Sequence, residues 1–124
     1  MTIKKIIEQA DAIAPNAIPE QIKMDWIGEL DGNIALNVML MDISAAQQFR
    51  YTYPECVSHE PLVGFPHDGM YVLWLRAKID DYNGEVERYE NSMQQYNAAY
   101  GNFVRWFART YSPAQGYQRS AAYE

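Results

Sequence analysis

Eleven positions in the second half of the chain repeat an apolar side chain at alternating steps of three and four: Val72, Leu75, Ile79, Tyr82, Val86, Tyr89, Met93, Tyr96, Tyr100, Phe103 and Phe107. A seam of this heptad type lies along one face of an α-helix. It predicts one long C-terminal helix over about 68–111, opened by Asp68 as N-cap and closed before Pro113. At ~1.5 Å per residue the seam alone runs about 50 Å. Asn83-Gly84 is a turn dipeptide inside it. The register nevertheless holds from Tyr82 to Val86, which favours a continuous or slightly kinked helix over a break.

Two shorter amphipathic stretches precede the seam. Ile3, Ile6, Ile7, Ala10 and Ile13 share a helical face behind Thr2 as N-cap, and Pro15 stops that helix. The next opens at Pro19, with Glu20 at its positive end, and carries the stripe Ile22, Trp26, Ile27, Leu30, Ile34, Val38 and Met41. Gly28 and Gly32 weaken it by roughly 1 kcal/mol each relative to Ala, unless they admit another backbone at close range.

From about 42 to 67 the periodicity fails, interrupted by Pro54, Pro61 and Pro66. Phe49 to Tyr53 alternates weakly, like a short strand. A stretch this long without regular structure is functional or disordered in a compact domain, and its aromatics argue for order. The expected fold is therefore mainly α. A long C-terminal helix packs on two N-terminal helices, with an extended loop or arm over 42–67. Residues 1–111 form a single helical domain, and 112–124 an extended tail.

Composition narrows the function. With 48% hydrophobic residues and 17 aromatics among 124, the chain has enough apolar surface for one core. The longest apolar run ends at Asp42, too short to span a bilayer, and Met1-Thr2-Ile3-Lys4-Lys5 lacks a secretory apolar core. Cys56 is alone, which fits synthesis in a reducing cytoplasm. The net charge of −6 is concentrated in residues 25–68, which carry −6, while 1–24 sum to zero, 69–100 carry −2 and 101–124 carry +2. Arg105, Arg109 and Arg119 are too few to grip phosphates.

No catalytic constellation emerges. Cys56, His59 and His67 are spaced as C-x2-H-x7-H, which matches no strong zinc pattern and lacks a fourth ligand. Asp80, Asp81, Glu85, Glu87 and Glu90 read as the solvated face of the long helix, not as an acid–base set. Neither a nucleophile elbow, a metalloprotease helix nor a glycine-rich phosphate loop is present. The expectation is a non-enzymatic protein without metal or cofactor. Its interface would draw on aromatic side chains outside the seam: Phe49, Tyr51, Tyr53, Phe65, Trp74 and Trp106, with Tyr117, Arg119 and Tyr123 in the tail.

Several segments in fixed order carry a family resemblance: Ala14-Pro15-Asn16-Ala17, Trp26 through Gly32, Tyr53-Pro54, Leu62-Val63, Tyr71-Val72, Ala77 through Glu85, Tyr89 through Ser92, and Tyr96 through Tyr100. Covering residues 14 to about 110, this succession resembles the head–tail connector proteins of tailed bacteriophages and prophages, also called adaptor or head-completion proteins. The resemblance implies a small helical virion subunit that forms a ring, commonly a dodecamer, beneath the portal protein. It implies that the tail 112–124 docks on the portal, that loop 42–67 meets a neighbouring copy or a tail or stopper protein, and that DNA slides through an acidic channel unbound. The alternative expectation is a small phage or host regulatory protein that binds one protein partner through the 42–67 loop.

Overall fold

The computed structural model describes residues 1–111. Along them run α1 (Ile3–Ile13), α2 (Glu20–Asn37), a single turn α3 (Ile43–Ala46) leading into a 3-10 turn (Gln47–Phe49), α4 (Gly69–Tyr82) and α5 (Val86–Thr110). No strand occurs among the described residues, so the mainly α class stands. The first helix starts where its cap predicts: the Lys5 N–H donates to Thr2 Oγ1 at 3.2 Å, and Ile3, Ile6, Ile7 and Ala10 are buried. Lys23, almost fully buried on α2, reaches both Asp11 carboxylate oxygens at 2.9 Å and Glu20 at 3.0 Å, which locks α2 onto α1.

The central element is α4. Met70, Tyr71, Val72, Leu75, Ala77, Ile79 and Asp80 are buried around nearly its whole circumference, as a helix enclosed by others requires. Alongside it α1 runs in the same direction, since Met1 N lies 2.9 Å from Asp68 at one end and Asn83 Nδ2 lies 3.5 Å from the Pro15 carbonyl at the other. Helix α2 also packs on it, with the Trp74 indole N–H donating to the Trp26 carbonyl at 2.9 Å. The remaining face is covered by α5.

The long helix expected over 68–111 is two helices, and this corrects the reading of a continuous seam. The chain reverses at Asn83-Gly84: Gly84 takes φ +74°, the Glu85 N–H donates to Asp80 O at 2.9 Å, and the Gly84 N–H donates to Asp81 O at 3.1 Å. That pair of bonds is the Schellman C-cap, which glycine completes without a Cβ penalty. Successive pairings run antiparallel: the Ser92 hydroxyl donates to Asp80 Oδ2 at 3.1 Å, Trp74 stacks on Tyr96, and His67 meets Phe103. The seam stays in phase because each helix presents its own half to the other. Leu75, Ile79, Tyr96 and Phe103 are buried, while Tyr82 and Val86 at the reversal point outward. Asp68 does occupy the N-cap position of α4, but its carboxylate bonds Met1 N and caps no helix N–H.

Residues 42–67 are fastened to this bundle at many points. The first-turn N–H groups of α1, which a helix cannot satisfy itself, donate to loop carbonyls: Ile3 to His59 and Lys4 to Val57, both at 2.9 Å. Gln21 on α2 donates to Tyr51 O at 2.9 Å and accepts from Tyr53 N–H at 2.7 Å. This side chain stands in for a neighbouring strand, so the alternation over 49–53 puts Tyr51 inside and Tyr53 outside without forming a sheet. The approach is closest at Gly28, where a Cβ would sit 2.5 Å from the Phe49 carbonyl oxygen; at Gly32 the same position is open.

The two glycines should therefore respond oppositely to alanine. Gly32→Ala should stabilise the fold by about 0.5–1 kcal/mol through helix propensity alone. Gly28→Ala should destabilise it by roughly 1–3 kcal/mol because the Phe49 carbonyl must move. Urea unfolding of both variants against wild type checks the pair, and equal responses would contradict this packing.

Candidate functional site

The site begins with a buried carboxylate. Asp31 on α2 is fully enclosed and accepts three hydrogen bonds: from Tyr51 Oη at 2.6 Å, Tyr71 Oη at 2.5 Å and the Leu62 N–H at 3.0 Å. Tyr71 Oη in turn accepts the Val63 N–H at 2.9 Å. One side chain thus joins α2, α4 and both ends of the loop. Burial raises the Asp31 carboxyl above its ordinary range, and the three hydrogen bonds oppose that rise without cancelling it. Burial, then the neighbouring Asp31 charge, pushes the Tyr51 and Tyr71 hydroxyls well above the usual phenol range. Burial does the same to Tyr96. Both tyrosines at Asp31 are protonated donors at neutral pH, and all three side chains are buried, so their hydrogen bonds tie the loop to α2 and α4.

By holding Leu62 and Val63, this cluster positions one wall of an apolar groove with a volume of about 970 Å³. The facing walls are the end of α2 with the residues after it (Asn37 to Met41) and the last turns of α5 (Phe103, Val104, Trp106, Phe107, Ala108) with Tyr111. The expected α2 stripe ran to Met41, but the helix stops at Asn37. The Met39 N–H then bonds Ile34 O at 2.9 Å, the Met41 N–H bonds Ala35 O at 2.9 Å, and Leu40 adopts φ +56°. A leucine in the left-handed region carries a cost of about 1–2 kcal/mol that glycine would avoid. This strained residue is 79% exposed at the groove, and Phe65 opposite is 90% exposed. Burying each fully contributes roughly 1.5–3 kcal/mol. Association loses about 4–15 kcal/mol of rigid-body freedom, so the two rim residues at about 3–6 kcal/mol together supply a marginal anchor, and an occupant that also fills the groove binds more firmly.

The candidate interface residues separate into distinct places. Phe65 and Trp106 come together at the groove, with Trp106 half-buried against His67 (centroids 4.9 Å apart), Phe103 and Tyr111. Tyr53 is half exposed on the loop away from it, and Phe49 is half-buried over Gly28. Tyr51 is buried and occupied by Asp31. Trp74 sits in the joint between α2, α4 and α5, stacked on Tyr96 with Lys78 Nζ 5.1 Å from its ring. Tyr117, Arg119 and Tyr123 lie outside the described residues. Leu40, Met39 and Val63 were missed, since apolar residues beyond a helix end or inside an irregular loop leave no periodic signal.

Among the described residues, no three His, Cys, Asp or Glu side chains gather as a metal set. Cys56 is half-buried beside Thr52, and His67 is packed among aromatics. Of the acidic run, Asp80 is buried and accepts from Ser92, which corrects its assignment to a solvated face; Asp81, Glu85, Glu87 and Glu90 are exposed. No family model matches the chain, and neither a curated protein nor a solved structure matches it.

Removing one hydroxyl tests the Asp31 cluster. Tyr71→Phe leaves the Val63 N–H unpaired and Asp31 one donor short, and should destabilise by about 2–4 kcal/mol in chemical denaturation. A loss under ~0.5 kcal/mol would mean that the cluster holds nothing. The pH dependence has a defined sign. A carboxyl raised in the folded state stabilises fully below its ordinary range near ~4, and this contribution fades as pH rises through the raised value. The stability advantage of wild type over Asp31→Asn should therefore grow on acidification from pH ~7 to ~4. At the alkaline end the same rule makes stability fall above pH ~10, where unfolded tyrosines ionise first. Phenolate absorbance should show Tyr51, Tyr71 and Tyr96 titrating only as the fold is lost.

Proposed function

We propose that this chain is a structural virion protein, a head–tail connector subunit that forms a ring beneath the portal and joins capsid to tail around the DNA channel. The observation that carries the protein-docking part is the open apolar groove with Phe65 and Leu40 at its rim. An apolar surface of this kind suits protein contact. The segment order that resembles the connector family supplies the rest of the reading. The partners are the portal protein, copies of the same chain, and a tail or stopper protein. The protein acts without catalysis, metal or cofactor.

Electrostatics agree with a chain beside DNA that does not hold it. Residues 25–68 carry −6 and residues 69–100 carry −2, so their field repels phosphate. Asp81, Glu85, Glu87 and Glu90 are exposed near the hairpin end of α5 and supply part of that field. The regulatory alternative assigns partner binding to the whole 42–67 loop. Hydrogen bonds from α1, Gln21, Asp31 and Tyr71 hold much of that loop in place, which leaves Phe65 and Tyr53 as its large exposed aromatics.

A tagged chain expressed in an induced lysogen or infected host, captured and examined by mass spectrometry, should recover the portal protein with capsid and tail subunits. Phe65→Asp should weaken that capture if the groove end faces the assembly. Recovery of one regulatory factor without virion proteins would overturn the connector reading.

A further inference from the structure

We propose that the groove of one copy seats the C-terminal segment, residues 112–124, of a neighbouring copy. The chain leaves α5 at Tyr111, which lines the groove, and continues for 13 residues. Extended at ~3.3 Å per residue, that length reaches about 43 Å. This exceeds the length of α5, which is about 37 Å at 1.5 Å per residue. The segment has enough chain to leave its own subunit.

Its apolar anchors suit a neighbour's groove better than its own. Tyr117, Ala121, Ala122 and Tyr123 follow a five-residue connector, Ser112 to Gly116. That connector spans about 16 Å when extended. The groove wall from Phe103 to Tyr111 is only about 12 Å of helix. Folding back onto the same groove needs a reversal of about four residues directly after Tyr111, whereas a connector that continues outward reaches a neighbouring copy without that turn.

Shape agrees. A volume near 970 Å³ admits several side chains, and Tyr117 and Tyr123 are the aromatic kind that anchor interfaces. None of the lining residues is charged, and Arg119 and Glu124 of the segment cancel, so the contact is an apolar one. Such a contact is heterologous: each copy gives a tail and receives one. Repetition closes a ring or extends a filament, depending on the rotation between copies. The resemblance assigned this segment to the portal; here it is assigned to the next subunit. The inference stands on the groove and the tail alone. Self-assembly without portal capture would keep it while sinking the connector reading, and portal capture without self-assembly would do the reverse.

Complementation between two half-competent chains tests it. One carries Phe65→Asp with the tail intact; the residue is 90% exposed, so the fold should survive, and circular dichroism checks this. The other ends at Tyr111 with the groove intact. In sedimentation velocity, wild type should self-associate, as a closed dimer, a larger ring or a filament, and each variant alone should stay monomeric. Their equimolar mixture should give a 1:1 heterodimer with twice the monomer mass and go no further. A monomeric wild type, assembly by the tail-less chain alone, or a mixture that stays monomeric would each overturn the proposal. In the last case, binding of a synthetic 112–124 peptide to the tail-less chain but not to wild type would assign the groove to the same chain's own tail.

Discussion

The buried Asp31 carboxylate is the constraint on which the described fold depends. Its oxygens accept from a tyrosine of the loop, a tyrosine of α4 and a loop N–H, and Tyr71 passes the connection on to Val63. A charge taken out of water is tolerable only when donors surround it, and each hydrogen bond to a charged group contributes about 1.5–3 kcal/mol. The elements that supply those donors are thereby held in one arrangement. Without them, residues 50–63 would have few buried apolar side chains to keep them in place, chiefly Tyr51, Pro61 and Val63.

Function follows from where that arrangement leaves the apolar surface. The α4–α5 hairpin and α1 bury their faces against one another. The loop, once tied down, ends at Leu62 to Phe65 beside the last turns of α5. Because α5 is longer than α4, its C-terminal turns extend past the start of α4 and, among the described residues, face this loop and the segment after α2. The groove is the gap among the three, and Phe65 and Leu40 stand exposed at its rim. The proposed docking role rests on this open apolar end of the scaffold.

Much of the helical architecture was legible because periodicity and capping are local. The cap at Thr2, the stop at Pro15 and the seam of α5 all follow from spacing within a few residues. The hairpin was misread because the dipeptide Asn83-Gly84 was weighed against a register that two facing helices preserve as well as one does. The loop's anchoring was not legible. Asp31 looks like one more acid in an acidic stretch, and its partners lie 20, 31 and 40 residues away. Gly28 carried a partial signal, since a helix-weakening glycine on an otherwise regular stripe hints at a close neighbour. The groove was visible only through Phe65 and Trp106, because Leu40 and Tyr111 take their roles from the end of a helix and not from its face.

The measurement that bears most directly on this account is hydrogen exchange at the Leu62 and Val63 amides, the two loop donors bound to Asp31 and Tyr71. If the carboxylate makes the loop part of the core, both amides open only with the global unfolding of α4 and share its protection. Exchange at the rate of exposed loop amides, while α4 stays protected, would show a loop that moves independently of the bundle and would contradict the rigid groove.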